Sequence, residues 1–306
     1  MFRSNCQYLL EKPLSPYRTN VSPFLKECEL LKNQLSQDTL NMLEDLVLGK
    51  KHCIQLECGF LDEVTAATPS SLSDIDSKAG YASELIMGSL AAAIGGIFGY
   101  KEQNGFIIHD IFPVKGMELS NTGANSVSAL CFHSDGATHP VVTPDFVILF
   151  CLKPDSRVRN YVAGLRDLLA VLPGSVIDEL KKPVFRHRID EELEVDDKEA
   201  FSIRPIITTE NGRLIIKFDV DLVTGINDSG RDAIEQLNSG ISKLSVEVAN
   251  TANSVLMLDN KACLHARSAF TPSFDGTDRW VQSAFVSKDR HYTGKVVETP
   301  RTCALA

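Results

Sequence analysis

Two residues in the string ALCFHSDGATHP, His133 and Asp135, have a spacing that suits metal chemistry. If this segment is a strand or the end of one, positions i and i+2 project to one face, so an imidazole and a carboxylate can reach the same ion. A third ligand must come from elsewhere in the chain. His265, in NKACLHARSAF beside a strand-like run, is the candidate. Two histidines and one carboxylate on one face of an iron ion leave positions open for a bidentate co-substrate and dioxygen. By itself H-x-D is unspecific, and a turn histidine beside S-D-G is the plain alternative. The same three ligands would also suit zinc in a hydrolase.

Beyond His265 comes Arg279, in DGTDRWVQSAF. A guanidinium is a rigid fork that matches a carboxylate through two parallel hydrogen bonds. On the next strand past the distal histidine it could grip the far carboxylate of a keto diacid whose other end chelates the metal. A surface arginine paired with Asp275 or Asp278 is the ordinary reading of the same residue. A hydrolase has no use for such an anion clamp. A jelly-roll binding protein, with a metal that only senses or stabilises, is the alternative outside enzymology.

FHSDGATHP, LHAR and GTDRW, in this order and at these intervals, resemble the clavaminate synthase-like (TauD-related) branch of the Fe(II)/2-oxoglutarate oxygenases, which includes free amino-acid hydroxylases of natural-product pathways. The resemblance covers roughly residues 99–289. It implies a mainly β fold with flanking helices: a double-stranded β-helix, or jelly roll, with N-terminal helices and a helical lid insert. It implies iron(II) on His133, Asp135 and His265, with 2-oxoglutarate held by Arg279 and O2 as the other co-substrate. The implied reaction is hydroxylation of an unactivated C–H of an amino acid, with a free L-amino acid favoured. Desaturation or epoxidation of a modified or carrier-bound amino acid is the alternative. Related halogenases lack a carboxylate at the position of Asp135, so its presence argues against chlorination. The chain departs from the pattern twice. Many relatives carry Glu where Asp135 stands, and many carry a second basic residue where Ser283 stands.

For the substrate, RLIIKFDVDLVTG offers Asp219 and Asp221, expected on one face of a strand. The resembled family often places an acidic pair there to receive an amino or guanidinium group, which suggests a basic amino acid such as arginine or lysine. A solvated strand face shared with Lys217 is the alternative. Gln103, in GYKEQNGFIIHD, matches a position that touches the substrate carboxylate in relatives. His109 and His139 are further candidates, His139 for a loop or supporting role. His187, in FRHR, reads as solvated lid surface, and Cys131 and Cys263 as inward-facing flanks of the metal motifs.

The elements that must position these residues fall into two textures. The first hundred residues are mostly helical. A helix opens at Ser22-Pro23 and runs to about Leu35, and a second spans Asp38 to Leu48 with Gly49 as its stop. A loop from Thr65 to Ser77 leads to an apolar helix, Leu85 to Tyr100, that is short for a membrane span. From about Gly105, short runs rich in β-branched and aromatic residues read as strands: GFIIHDIFPV, FVILFCL, RLIIKFDVDLV, SVLMLDN and WVQSAFVS. A helical insert spans Arg157 to Asp197. With no linker visible, residues 1–306 read as a single oxygenase domain, helical over 1–100 and jelly-roll over 101–306.

Composition sets the limits. Apolar residues make up 43% of the 306 and charged residues 23%, enough for a sizeable core. The formal net charge of −9 argues against nucleic acid or an anionic membrane as partner and is compatible with a small cationic substrate; the resemblance makes that substrate amino-acid-like. The eight cysteines form no C-x-x-C pair, and MFRSNCQYLLEKP lacks the apolar run of a signal peptide, so a reduced, cytoplasmic protein is expected.

Overall fold

The structure, a computed structural model, describes residues 1–2, 14–17, 20–58, 66–71, 80–120, 122–139, 141–189 and 201–298. Most of the expected Thr65–Ser77 loop lies outside them.

Helix α1 (Ser22–Lys32) carries its proline in the first turn, but its N-cap is Val21 and no side chain caps it. Ser22 is already helical, and the helix stops before Leu35. Helix α2 (Gln37–Val47) has a true cap, because the Ser36 hydroxyl accepts the Thr39 N–H at 3.2 Å. Gly49 follows it at φ +68°. The expected apolar helix Leu85–Tyr100 is half helix and half strand. Helix α3 (Ala82–Ile94) ends at Gly95, and Gly96–Tyr100 continues as a fully buried strand, β2. A side chain at Gly95 would put its Cβ 2.2 Å from the Ser287 carbonyl, so the chain can turn there only as glycine.

The strands of the described residues form four sheets. The largest has seven strands in the order β1 (Cys53–Glu57), β13 (Ser254–Asp259), β5 (Phe146–Lys153), β15 (Trp280–Ser287), β2 and β16 (Val296–Val297), with β3 (His109–Ile111) also pairing on β15. A second sheet has the order β12 (Val246–Val248), β6 (Asn160–Gly164), β14 (Cys263–Arg267) and β4 (Leu130–His133). Two small sheets complete the set: β11 (Val223–Gly225), β7 (Phe185–Arg188) and β8 (Phe201–Arg204), and the pair β9 (Ile207–Glu210) and β10 (Arg213–Ile216).

Alternation along the strands sorts the side chains into layers. In β5, Phe146, Ile148 and Phe150 join the core under α1–α3, whereas Val147 and Leu149 face the space between the two large sheets. In β14, Leu264 packs outward and Cys263 inward. Each fully buried Leu or Phe contributes roughly 1.5–3 kcal/mol. His265 and Arg267 share the inward parity of Cys263, so the outer cores hold the sheets and leave the inner faces for chemistry.

Of the stretch 157–197, expected as a helical lid insert, residues 157–189 are described, and they hold strands as well as two short helices. It includes strand β6, held by its pairing to β14 between Asn160 and Gly164. Helices α4 (Leu165–Val171) and α5 (Gly174–Leu180) then pack with α6 (Asp228–Leu244) on the outer face of the second sheet. None of residues 165–188 lines the cavity described below, and residues 190–197 lie outside the described set. His187, expected as solvated surface, is 1% exposed on β7. Helix α6 was not anticipated, although Asn227 caps it through the Gly230 N–H at 2.7 Å and Ala233, Leu237 and Ile241 recur at helical spacing. No helix among the described residues is long and apolar enough to cross a membrane.

Candidate active site

His133, at the end of β4, lies directly opposite His265 of β14 in the ladder, with ring centroids 4.3 Å apart. Asp135 sits in the turn after β4. Its two oxygens lie 3.6 Å from His133 Nε2 and 3.4 Å from His265 Nε2. One donor atom from each of the three falls within 4.8 Å of the others. His133 Nδ1 is 2.8 Å from the Cys131 carbonyl, so Nδ1–H donates there and Nε2 offers a lone pair to the site. The donor set therefore fits a divalent metal with open positions.

The electrostatics point the same way. Burial works against a charged Asp135, yet the two imidazoles outweigh it and hold the carboxyl well below its usual range. Burial also pulls His133 down, but the hydrogen bond and charge of Asp135, with Asp219 behind, lift it to about 9. His265 is pushed down, first by burial and then by His133. The triad thus favours positive charge: one proton in the metal-free protein, or a cation bound by all three atoms.

The turn that presents Asp135 is tightly constrained. Gly136 adopts φ +60°, and a Cβ there would come 2.7 Å from the Tyr100 hydroxyl. That hydroxyl donates to the Val142 carbonyl at 2.7 Å. His139 stacks on Tyr100 with centroids 4.2 Å apart and accepts the Val141 and Val142 N–H groups at Nδ1. Burial pushes it down to about 4, so His139 is a neutral brace for the loop.

The triad opens into a cavity of about 390 Å³ whose wall on the large sheet includes Arg279, Ser283 and Phe285. Arg279 directly precedes β15 and is 7% exposed, and its buried Nε has no hydrogen-bond partner among the described residues. Neither neighbouring acid pairs with it. Asp278 accepts from Arg157 at 3.1 Å and from the Ser273 and Phe274 N–H groups, and Asp275 accepts from Thr277. Burial lowers Arg279 only to about 10, so it stays cationic at neutral pH. A buried charge without a partner is costly, and an incoming carboxylate would remove that cost. Arg267 also lines the cavity but is already engaged, donating to the Ser268 carbonyl at 2.8 Å, the Asn125 carbonyl at 3.2 Å and the Asn125 side chain. It ties the loop before β4 to β14. Its parity with His265 was visible in LHAR, but no role had been drawn from it.

The expected acidic pair is split. RLIIKFDVDLV is not one strand: β10 ends at Ile216, and Asp219 makes a single bridge beside His133 before the chain turns. Asp219 is half-buried and lines the cavity, its Oδ1 accepting the Asp221 N–H at 2.7 Å and the Leu222 N–H at 3.1 Å. Burial raises its pKa. Asp221 is exposed in that turn and does not line the cavity; burial first, and then the Asp221 carboxylate, push the Cys131 thiol up. Lys217 pairs with Glu210 at 3.2 Å. Gln103, in the 3-10 turn Lys101–Gln103, also lines the cavity. His109, on β3, lines it too, pushed down to about 4 by burial.

The family profile described as "Taurine catabolism dioxygenase TauD, TfdA family" matches residues 87–285, a span that includes the triad and Arg279. The chain belongs to this family. Its members use iron(II), 2-oxoglutarate and O2. The chain is 30% identical over 190 residues to L-asparagine oxygenase of Streptomyces coelicolor, a match covering 61% of this chain and 56% of that protein. It is 26% identical over 280 residues to L-lysine 3-hydroxylase of Catenulispora acidiphila, covering 88% and 78%. The structure of an asparagine oxygenase with Fe(II), a hydroxyasparagine and succinate superposes with a TM-score of 0.81 at 24% identity, over 92% of this chain and 89% of that one. This last likeness concerns the fold.

Proposed function

We propose that this TauD/TfdA family member hydroxylates an unactivated C–H of a free L-amino acid, with iron(II) on His133, Asp135 and His265 and 2-oxoglutarate anchored by Arg279. One observation carries the reading: a buried guanidinium with no acidic partner among the described residues shares one cavity with a two-histidine, one-carboxylate donor set. The two large sheets then act as the walls of a jelly roll, and residues 1–306 as one oxygenase domain. Six described cysteines are free, which supports a reducing, cytoplasmic setting.

Iron(II) with 2-oxoglutarate and dioxygen supplies, when bound, an oxidant able to break a C–H bond that no side chain could attack. The chain's residues orient and shield. Cys131 fixes the tautomer of His133. Arg279 neutralises and aligns the distal carboxylate, and Ser283, buried on the same wall, adds no second charge. Asp219, held by its own turn, receives a cationic or amide group of the substrate, and Gln103 addresses the substrate's carboxylate. A substrate gripped at both ends presents one carbon to the metal side of the cavity, and this positioning selects the bond that reacts. Asp221 takes no part.

The test is turnover. With iron and 2-oxoglutarate, a panel of lysine, arginine, ornithine and asparagine should yield succinate and a product heavier by one oxygen for at least one member. Absence of succinate with every amino acid, in protein shown to be folded and metal-loaded, would contradict the proposal.

A further inference from the structure

We infer that Asn260 is the residue that sets the metal site, by clamping the backbone of Asp135 from the turn that starts the His265 strand. The inference rests on the proposed metal role of His133, Asp135 and His265.

The turn between β13 and β14 is anchored on every side. Asp259 donates its N–H to the His52 carbonyl at 2.9 Å, Asn260 to Asp145 at 3.0 Å, and Ala262 to Asp259 at 2.9 Å. The Asp259 carboxylate is gripped by both Arg213 nitrogens at 2.5 and 2.8 Å. Lys261 reaches Asp145 at 3.0 Å and Glu210 at 2.8 Å. On this rigid base stands Asn260, fully buried.

Its amide is used completely. Oδ1 accepts the Asp135 N–H at 2.9 Å, and Nδ2 donates to the Asp135 carbonyl at 2.9 Å and the Pro144 carbonyl at 3.0 Å. Asp135 has left β4 and has no strand partner, so one side chain answers both of its backbone groups as a neighbouring strand would. An aspartate has a short arm, and where its backbone sits decides where its oxygens fall relative to the two imidazoles. The same turn runs directly into β14, which carries His265. Asn260 thereby ties the carboxylate ligand to the distal histidine ligand, while the ladder between β4 and β14 ties the two histidines. With His133 and Asp135 two residues apart on one chain, all three ligand-to-ligand relations then have a structural cause.

The experiment measures Mn(II) affinity of the full-length metal-free protein by EPR, alongside its melting temperature. For Asn260→Ala, the Mn(II) Kd should rise about 10- to 100-fold, as for outer-shell partners of metal ligands in general. Asn260→Ser leaves a neutral, shorter hydroxyl that can answer at most one of the Asp135 backbone groups, so its Kd should fall between wild type and Asn260→Ala, and it serves if the alanine variant does not fold. Arg213→Lys loosens the same turn from its outer side; it should lower the melting temperature yet move the Kd by less than about threefold. Folded Asn260 variants with wild-type Mn(II) affinity would overturn the inference alone. So would Arg213→Lys weakening metal binding as much as Asn260→Ala, since the turn's general stability would then be the cause. Wild-type protein that binds no divalent ion would overturn the functional reading and this inference with it.

Discussion

The two ends of the cavity are built differently. The proposed metal and co-substrate end rests mainly on strands: His133 and His265 face each other across one ladder, Arg279 leads into β15 at the centre of the largest sheet, and only Asp135 sits in a turn, clamped by Asn260. The substrate end rests on turns, with Gln103 in a single 3-10 turn and Asp219 at a lone bridge followed by a reversal. Strand-borne groups are held by many cooperative hydrogen bonds, whereas turn-borne groups shift with a local change of sequence. A common oxidising centre can therefore be kept while the amino acid it acts on changes.

If that contrast is right, substitutions at the two ends should fail in different ways. The largest effect is expected for His265→Ala, which removes a ligand worth several kcal/mol and should cut turnover by at least about 10³-fold together with metal binding. Next, Arg279→Ala should raise the KM for 2-oxoglutarate by roughly 30- to 100-fold, the value of charge-assisted hydrogen bonds, with metal affinity unchanged. Steady-state kinetics with metal titration separates these two.

A third prediction concerns a group remote from the chemistry. His187 is buried and pushed down to about 3, first by burial and then by Arg204. Folded protein keeps it neutral, while unfolded chain protonates it below about pH 6.5, so stability is full above that pH and falls as the pH drops toward 3. At pH 5 the loss should be about 2 kcal/mol. His187→Gln should flatten that part of the stability profile, measured by urea melts, without changing turnover at neutral pH. A slope that stays unaltered in the variant would show that the imidazole is not neutral in the fold.

At the substrate end, Asp219→Asn should lower kcat/KM for a cationic amino acid by about tenfold while leaving 2-oxoglutarate affinity alone. Asp221→Asn, by contrast, should stay within about twofold, since its carboxylate is exposed. Equal losses for the two would restore the acidic pair expected from the sequence.

What could be read beforehand follows the same division. H-x-D, LHAR and DRW pointed to the proposed donor set and anion clamp because each chemical role demands a particular residue type, at a spacing that lets the groups meet at one site. The β-rich texture from Gly105 onward was legible from its β-branched and aromatic runs. The fate of RLIIKFDVDLV was not, because alternation alone does not show where a strand stops: β10 ends at Ile216, and the Asp219 side chain caps the turn that follows. Gly95 likewise cut one apolar run into helix and strand, a choice fixed by the approach of the Ser287 carbonyl. His187 read as surface because its neighbours are arginines, but in a strand those neighbours face the other way. Asn260 escaped notice since nothing in the sequence says that its amide meets Asp135.

The most direct test of the central claim is an anaerobic titration of metal-free protein with Fe(II) and then 2-oxoglutarate, followed by visible absorption. A charge-transfer band should appear only when both are present, vanish in His265→Ala, and require far more 2-oxoglutarate in Arg279→Ala. No band in folded wild-type protein would contradict the account.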